Sequence, residues 1–388
     1  MRVTHLSLTD FRNYERADVP LLPGPNLFVG RNGQGKTNLM EALGFLSTLG
    51  SHRVSVDLAM IRAGEAAAIV RARLVNGERS VLAEVQINRV GANRAQINRS
   101  PIKTKELPRY FSSVLFAPED LALVRGDPSG RRRFLDELLV LRAPRMSSVL
   151  ADYDRVLRQR NTLLKSARAS GVRGSQLSTL EIWNENLVAL GSEIIVARSA
   201  LVAELLPEVR AAYTAIAGAD HRATLESHLS TLAIGEGPET EVPSALDTAL
   251  PITEVADRFR EALQRVRRSE LDRGITLVGP HRDDLIIGLN DLPARGYASH
   301  GESWSLALSL KLASAAVLRR ETNSGDPVLM LDDVFAELDE ARRERLADAV
   351  DGFEQVLVTA AVLADVPGRL AAHVVHIQAG TIVEEVGR

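Results

Sequence analysis

Eight residues, Gly30-Arg31-Asn32-Gly33-Gln34-Gly35-Lys36-Thr37, constrain this chain more than any others. They match G-x-x-x-x-G-K-[ST], the phosphate-binding loop of nucleotide triphosphatases. Three glycines let the backbone turn so that successive N–H groups face one anion. In that motif Lys36 reaches the β- and γ-phosphates of ATP and the Thr37 hydroxyl ligates Mg²⁺. Asn26-Leu27-Phe28-Val29 reads as a short buried strand entering the loop. Residues 38–43 continue as a helix whose N-terminus faces the phosphates. A chance glycine-rich turn is the bland alternative, and the strand before and helix after argue against it.

The same chemistry needs a second half, a buried strand ending in acid. Val328-Leu329-Met330-Leu331-Asp332-Asp333 is a fully apolar run closed by two carboxylates. Asp332 is placed to hold Mg²⁺, and Asp333 to polarise an attacking water as general base. Unpaired charge at a buried strand end is costly, so two adjacent carboxylates there have few structural excuses. Ser299-x-Gly301 ahead of an apolar helix is a further anion-binding helix N-terminus. One chain does not need two such sites for one γ-phosphate. A head-to-tail pair of chains does, with Ser299 and Gly301 closing on the partner's nucleotide.

Bulk properties bound the rest. With 388 residues the chain has room for a sizeable core, and aromatics at 4% mean that core is built from Leu, Val, Ala and Ile. The absence of cysteine fits a reducing compartment, and no secretory signal is read in the N-terminus, so a cytoplasmic location is expected. No run of 18 consecutive apolar residues occurs. The net charge of -3 means that any nucleic-acid site must be a local basic patch.

Along the chain, residues 1–29 alternate in short strand-like runs, and residues 69–99 read as hairpins around Asn76-Gly77. Gly126-Asp127-Pro128 is a turn, with Ser129 a candidate helix cap. Arg131, Arg132 and Arg133 then sit in the first turns of a helix, against its dipole. Either they meet an anion or acidic partner, or they form a salt-bridged surface with Asp136 and Glu137. From about 138 to 273 helical periodicity dominates. Leu187, Leu190, Ile194, Ala197 and Leu201 step 3-4-3-4 like a short coiled-coil seam. Ala169–Ser175 and Gly235–Glu239 read as loops. Val255 to Arg273 is an arginine-rich helix that includes Arg267 and Arg268. Ile275–Val278 reads as a strand leading to Gly279-Pro280-His281-Arg282-Asp283-Asp284. His281, Asp283 and Asp284 make a poor metal site, because consecutive residues of an extended chain point to opposite faces. Asp339 is a candidate cap for the helix reaching Val350, and Val356–Thr359 is a further buried strand. The expected architecture is α/β: an ABC/SMC-type P-loop ATPase head (1–137 and 274–388) with an inserted α-helical arm (138–273).

The chain resembles the RecF family of bacterial recombination mediators. The matching segments are Asp10–Tyr14, Gly30–Leu39, Phe116–Leu121, Gly126–Asp136, Gly279–Leu285 and Leu331–Asp339, in order and nearly end to end. The resemblance implies a slow, DNA-dependent ATPase that dimerises on ATP and binds single-strand/double-strand junctions at gaps. It implies partnership with RecR and RecO and support of RecA loading in the SOS response. By position it makes Ser299 and Gly301 the signature acting in trans, and Glu337-Leu338-Asp339 the dimer loop. It sets Thr359 near the place of the ABC switch histidine. The arginines at 131–133, 267 and 268 are candidate DNA contacts. Two departures stand out. Glu302 replaces a commoner glutamine and would repel a γ-phosphate unless it points elsewhere, and the catalytic acid is Asp333 rather than Glu. No glutamine can be placed in the Q-loop role. Two rival readings are the ATPase half of a membrane transporter and an adaptor that senses ATP without hydrolysing it. The transporter reading lacks a coupling membrane segment, and the helical insertion is too long and regular for it. Phosphate release with and without gapped DNA separates the adaptor from the mediator.

Overall fold

The computed structural model describes residues 1–170, 178–232, 250–321 and 325–383. In chain order the strands are β1 (Arg2–Phe11), β2 (Tyr14–Pro20), β3 (Gly24–Val29), β4 (Ala67–Asn76), β5 (Arg79–Asn88), β6 (Arg94–Ile97), β7 (Ser100–Ile102), β8 (Ser113–Phe116), β9 (Thr224–His228), β10 (Asp284–Leu289), β11 (Leu292–Pro293), β12 (Val328–Asp332), β13 (Gln355–Ala360), β14 (Val374–Gln378) and β15 (Thr381–Val383). The helices are α1 (Lys36–Thr48), α2 (Leu121–Arg125), α3 (Pro128–Arg142), α4 (Met146–Ser170), α5 (Ser178–Ala217), α6 (Ile252–Arg273), α7 (Ala294–Tyr297), α8 (His300–Glu321) and α9 (Glu340–Val350).

The chain divides into two compact units: Met1–Val124 with Glu208–His221 and Ala298–Arg388, and Arg125–Pro207 with Arg222–Tyr297. The first unit holds two six-stranded sheets. One is antiparallel, in the order β2-β1-β4-β5-β6-β7. The other runs β15-β14-β3-β13-β12-β8 and is parallel except at the β14–β15 hairpin. Strands buried on both faces of a parallel sheet read as near-continuous apolar runs, and every residue of β12 and β13 is buried, including the polar Asp332, Gln355 and Thr359. Helix α1 belongs to the same core as both sheets: Leu39, Met40, Leu43, Phe45 and Leu46 share one apolar cluster with Leu6, Leu8, Val70, Val85, Met330 and Leu357. Enclosed this way, α1 carries a wide apolar face rather than a narrow stripe, and Glu41 outside that face is buried as well. Gln355 ties the sheets across the core, exchanging two 2.8 Å hydrogen bonds with the backbone of Val3 and donating to the Leu22 carbonyl.

The second unit is helical but not wholly so. It contains the three-stranded sheet β11-β10-β9 beside α3, α4, α6 and most of α5. The unit boundaries differ from the expected 137/138 and 273/274. Ion pairs explain why both flanking motifs fall here: Arg131 on α3 binds Asp284 on β10 through two bonds of 2.7 and 2.8 Å. That pairing joins segments 153 residues apart. Along α5 the buried side chains include Val188 and Ile195 as well as Leu187, Ile194 and Leu201, so the stripe is wider than a coiled-coil seam. Residues 179–217 are long and apolar enough to cross a membrane by length and composition, yet half of the apolar window is buried in the protein, as in a core helix.

Local expectations were revised in three places. Ile275–Val278 is not a strand; its backbone donors are taken by side chains, Thr276 N–H by Asn161 (2.7 Å) and Leu277 N–H by Glu270 (2.9 Å). Asp127, not Ser129, is the N-cap of α3, and Pro128 opens the helix. The β4–β5 turn is Gly77-Glu78, with Asn76 still paired to Arg79. The expected loops at Gly235–Glu239 and, past Ser170, at Ala169–Ser175 lie outside the described residues.

Candidate nucleotide-binding and catalytic site

The loop 30–37 leaves β3 and enters α1. Gly33 and Gly35 take φ values of +80° and +117°, conformations that side chains resist. Gly30 is required for another reason, since a Cβ there would lie 2.4 Å from the Ile377 carbonyl oxygen. Lys36 is buried, and its ammonium bonds the carbonyls of Gly30 (2.8 Å) and Arg31 (3.4 Å), so it lies across the loop before any phosphate arrives. Arg31, Asn32 and Gly33 form the exposed outer turn. Gly35 is the N-cap of α1 and supplies no side chain to the helix, which keeps that terminus open to an anion.

Two segments brace the loop. From Asp10–Tyr14, Asn13 donates to the Gln34 carbonyl (3.1 Å) and accepts from Asn38 (2.7 Å), while the Tyr14 hydroxyl donates to the Gly35 carbonyl (3.1 Å). From the β14–β15 hairpin, Gly380 N–H donates to the Gln34 carbonyl (3.0 Å). One turn into α1, Glu41 is fully buried and receives the Arg12 guanidinium in a two-pronged pair, with Ser51 and Arg53 beside it. Burial pushes the Glu41 carboxyl up, but the hydrogen bonds from Arg12 and Ser51 outweigh it and hold the pKa below the usual range. Sequence reading missed this pair, because Arg12 and Glu41 lie in separate motifs.

Asp332 ends β12 beside the loop. Its Oδ1 accepts from the hydroxyls of Thr37 (3.2 Å) and Thr359 (2.6 Å). Burial raises its pKa to about 6, and the charges of Asp333 and Glu119 push the same way. Oxygen ligands from Thr37 and a buried carboxylate suit a hard divalent cation. Asp333 is half-buried with φ +51°, and its N–H donates to Thr359 Oγ1 (2.8 Å). Glu119 stands in the segment after β8, the strand next to β12.

Ser299 caps α8. Its hydroxyl accepts from Glu302 N–H (3.3 Å) and its N–H donates to Glu302 Oε2 (2.8 Å), a reciprocal capping box of the pattern Ser-x-x-Glu. Those bonds from Ser299, then the charges of His221 and Arg342, hold the Glu302 carboxyl below its usual range. Gly301 lies against Arg342, whose guanidinium would be 2.6 Å from an added Cβ. Asp339 caps α9, accepting from Arg342 N–H (2.9 Å), and Glu337 lies 3.7 Å from His300. Helix α8 packs on edge strand β8, with Trp304 edge-on to Phe116 at 5.3 Å. In the sheet order β8 is three strands from β3, roughly 14 Å at ordinary strand spacing.

In the second unit, His281, Asp283 and Asp284 serve different partners: Tyr153 (2.8 Å), Ser230 (2.8 Å) and Arg131 respectively. Among the described residues no cluster of three or more His, Cys, Asp or Glu forms a metal site. Arg131 is buried in a two-bond pair with Asp284, so it is a structural residue and not an open DNA contact. Asp136 instead binds Arg198. Arg132 donates to the Asp283 carbonyl (2.7 Å), Arg133 is exposed, Arg267 pairs with Glu181, and Arg268 is exposed.

Comparisons with known proteins identify the family. Residues 2–366 match the model of the RecF/RecN/SMC N terminal domain. DNA replication and repair protein RecF of Clavibacter sepedonicus is 65% identical, over 99% of this chain and 95% of its own. The chain belongs to the RecF family. Another RecF, from Leifsonia xyli subsp. xyli, is 62% identical over 99% of this chain and all of its own. The ATP complex of the recombination mediator protein RecF in the RecFOR pathway superposes with a TM-score of 0.84 at 28% identity, covering 98% and 96% of the two chains. An SMC head bound to the C-winged helix domain of ScpA shares the fold, with a TM-score of 0.52 at 16% identity over 98% and 96%. RecF proteins are ABC/SMC-type ATPases of DNA replication and repair, and so is this one. The transporter-subunit and non-hydrolysing adaptor readings are set aside accordingly.

Proposed function

We propose that the chain is an ATP-gated clamp that binds DNA at single-strand/double-strand junctions, hydrolyses ATP slowly, and acts with RecR and RecO to help load RecA at gaps. The observation that carries this is the separation of the two anion sites within one chain. The phosphate loop leaves β3, whereas the Ser299 helix rests on β8, three strands away. Closure of Ser299 and Gly301 on a second copy's γ-phosphate accounts for both. Glu337 and Asp339 then lie at the dimer contact. Lys36 and the loop residues 30–37 hold ATP, Thr37 and Asp332 hold Mg²⁺, and Asp333 orients the water. Bound Mg²⁺ would neutralise charge on the phosphates. Arg132, Arg133, Arg267 and Arg268 are the DNA contacts this reading favours, within a cytoplasmic protein. Of the five arginines expected at 131–133, 267 and 268, Arg131 drops out, because it is buried against Asp284.

The test is DNA binding and phosphate release on gapped duplex across a salt series, with ATP, ADP or neither. We expect ATP-dependent binding whose log affinity falls with log salt by about 0.9 per phosphate contacted. We also expect faster phosphate release on gapped DNA. A flat salt response, or binding indifferent to nucleotide, contradicts the proposal.

A further inference from the structure

Strand β13 lies between β3 and β12, and Thr359 stands in register with Phe28 on one side and Asp332 on the other. The side chain is completely buried. Its Oγ1 is 2.6 Å from Asp332 Oδ1 and 2.8 Å from the Asp333 nitrogen. The Asp333 N–H can only donate, so Oγ1 accepts there. A hydroxyl carries a single proton, and that proton points at the Asp332 carboxylate. Both hydrogen-bonding directions of Thr359 are therefore committed within the acid pair.

This arrangement has a backbone counterpart. In an extended strand, successive side chains point to opposite faces, which would separate Asp332 from Asp333. Asp333 instead adopts φ +51°, a left-handed conformation that ends the alternation. The N–H of that turned residue is the one that Thr359 accepts. The same oxygen thus holds Asp332 toward Thr37, whose hydroxyl is 3.2 Å from the shared Oδ1, and holds the turn that presents Asp333.

We propose that Thr359 is a positioning residue for the hydrolytic site: it fixes the Asp332 carboxylate and the Asp333 turn as one unit and does not donate to the γ-phosphate. A threonine here does different work from a histidine, which would present a ring N–H to phosphate from the same strand end. The inference rests on the assignment of Asp332 to Mg²⁺ made above.

The experiment compares full-length wild type, Thr359→Val and Thr359→Ser. ADP and ATPγS binding are measured by calorimetry in EDTA and along a Mg²⁺ titration, and ATP turnover in parallel. Valine keeps the shape and removes both hydrogen bonds. For Thr359→Val we expect a 10- to 100-fold higher Mg²⁺ requirement for nucleotide binding and a comparable loss in kcat, the usual scale for removing a partner of a metal ligand. Affinity in EDTA, and the ratio of ATPγS to ADP affinity there, should stay at wild-type values. Thr359→Ser should recover most of the Mg²⁺ response. The proposal is overturned by a wild-type Mg²⁺ requirement in Thr359→Val, by a serine variant as impaired as valine, or by a collapsed ATPγS preference in EDTA. If Thr359→Val does not fold, Thr359→Ala against Thr359→Ser makes the same comparison. Asp332→Asn is the separate control. If its Mg²⁺ requirement is unchanged, the metal assignment is wrong and this proposal falls with it.

Discussion

Lys36 illustrates how much of the site is built before ligand binds. Its ammonium already rests on the carbonyls of Gly30 and Arg31, so the cation waits inside the loop. Lys36→Ala removes it while leaving the glycine geometry intact. ATP affinity measured by calorimetry should fall below detection with thermal stability little changed; unchanged affinity would refute the loop assignment. Asp283 shows the opposite situation, a charge the fold disfavours. Burial raises its pKa from 3.8 to about 6, partly opposed by hydrogen bonds from Ser230, and Oδ2 has no hydrogen-bond partner. A raised carboxyl binds its proton more tightly when folded, so its contribution to stability falls as pH rises from about 4 to about 6. Above that window the ionised group costs up to about 3 kcal/mol. Asp283→Asn should therefore stabilise the protein more at pH 7.5 than at pH 5, read from thermal unfolding at both. A variant less stable than wild type at pH 7.5 would show that the ionised form is held by its arginine neighbours.

At the scale of elements, the start of α8 carries the most testable detail. The reciprocal bonds between Ser299 and Glu302 satisfy two donors of the helix terminus. Ser299→Ala should cost roughly 1 kcal/mol of stability, as lost caps do. Glu302→Gln keeps a side-chain acceptor for Ser299 N–H and removes the negative charge. Stability should be nearly unchanged, while ATP-driven dimerisation should need less ATP, because no carboxylate then sits beside an incoming γ-phosphate. Weaker dimerisation of Glu302→Gln, measured by light scattering, would mean the charge assists closure. The pattern Ser-x-x-Glu that makes this box stands in the sequence, where it reads only as an anion site with an unusual Glu302. The loop, the acid-tipped strand β12 and the Asp339 cap were legible, since each is set by residues within a few positions. Other features were not. The run Ile275–Val278 has the composition of a strand, but Asn161 and Glu270 side chains capture its backbone donors. Asp284 is 153 residues from Arg131, and no local pattern announces that pair. Thr359 likewise meets Asp332 only through the parallel register of β12 and β13.

For the molecule as a whole, the central claim is that each hydrolytic site draws on two chains. Two variants test it, each expected to be inactive alone. Ser299→Arg leaves the loop intact but puts a long side chain into the junction. Lys36→Met leaves the signature intact but cannot hold ATP. A heterodimer of the two contains one site with an intact loop from one chain and an intact Ser299 from the other. The decisive measurement is phosphate release from each protein alone and from an equimolar mixture, with ATP binding to monomeric Ser299→Arg as the control. The account predicts near-normal ATP binding by the Ser299→Arg monomer, no turnover from either parent, and activity that reappears on mixing. A mixture as silent as its parents, or a Ser299→Arg monomer that cannot bind ATP, would place Ser299 within its own chain and contradict the two-chain site.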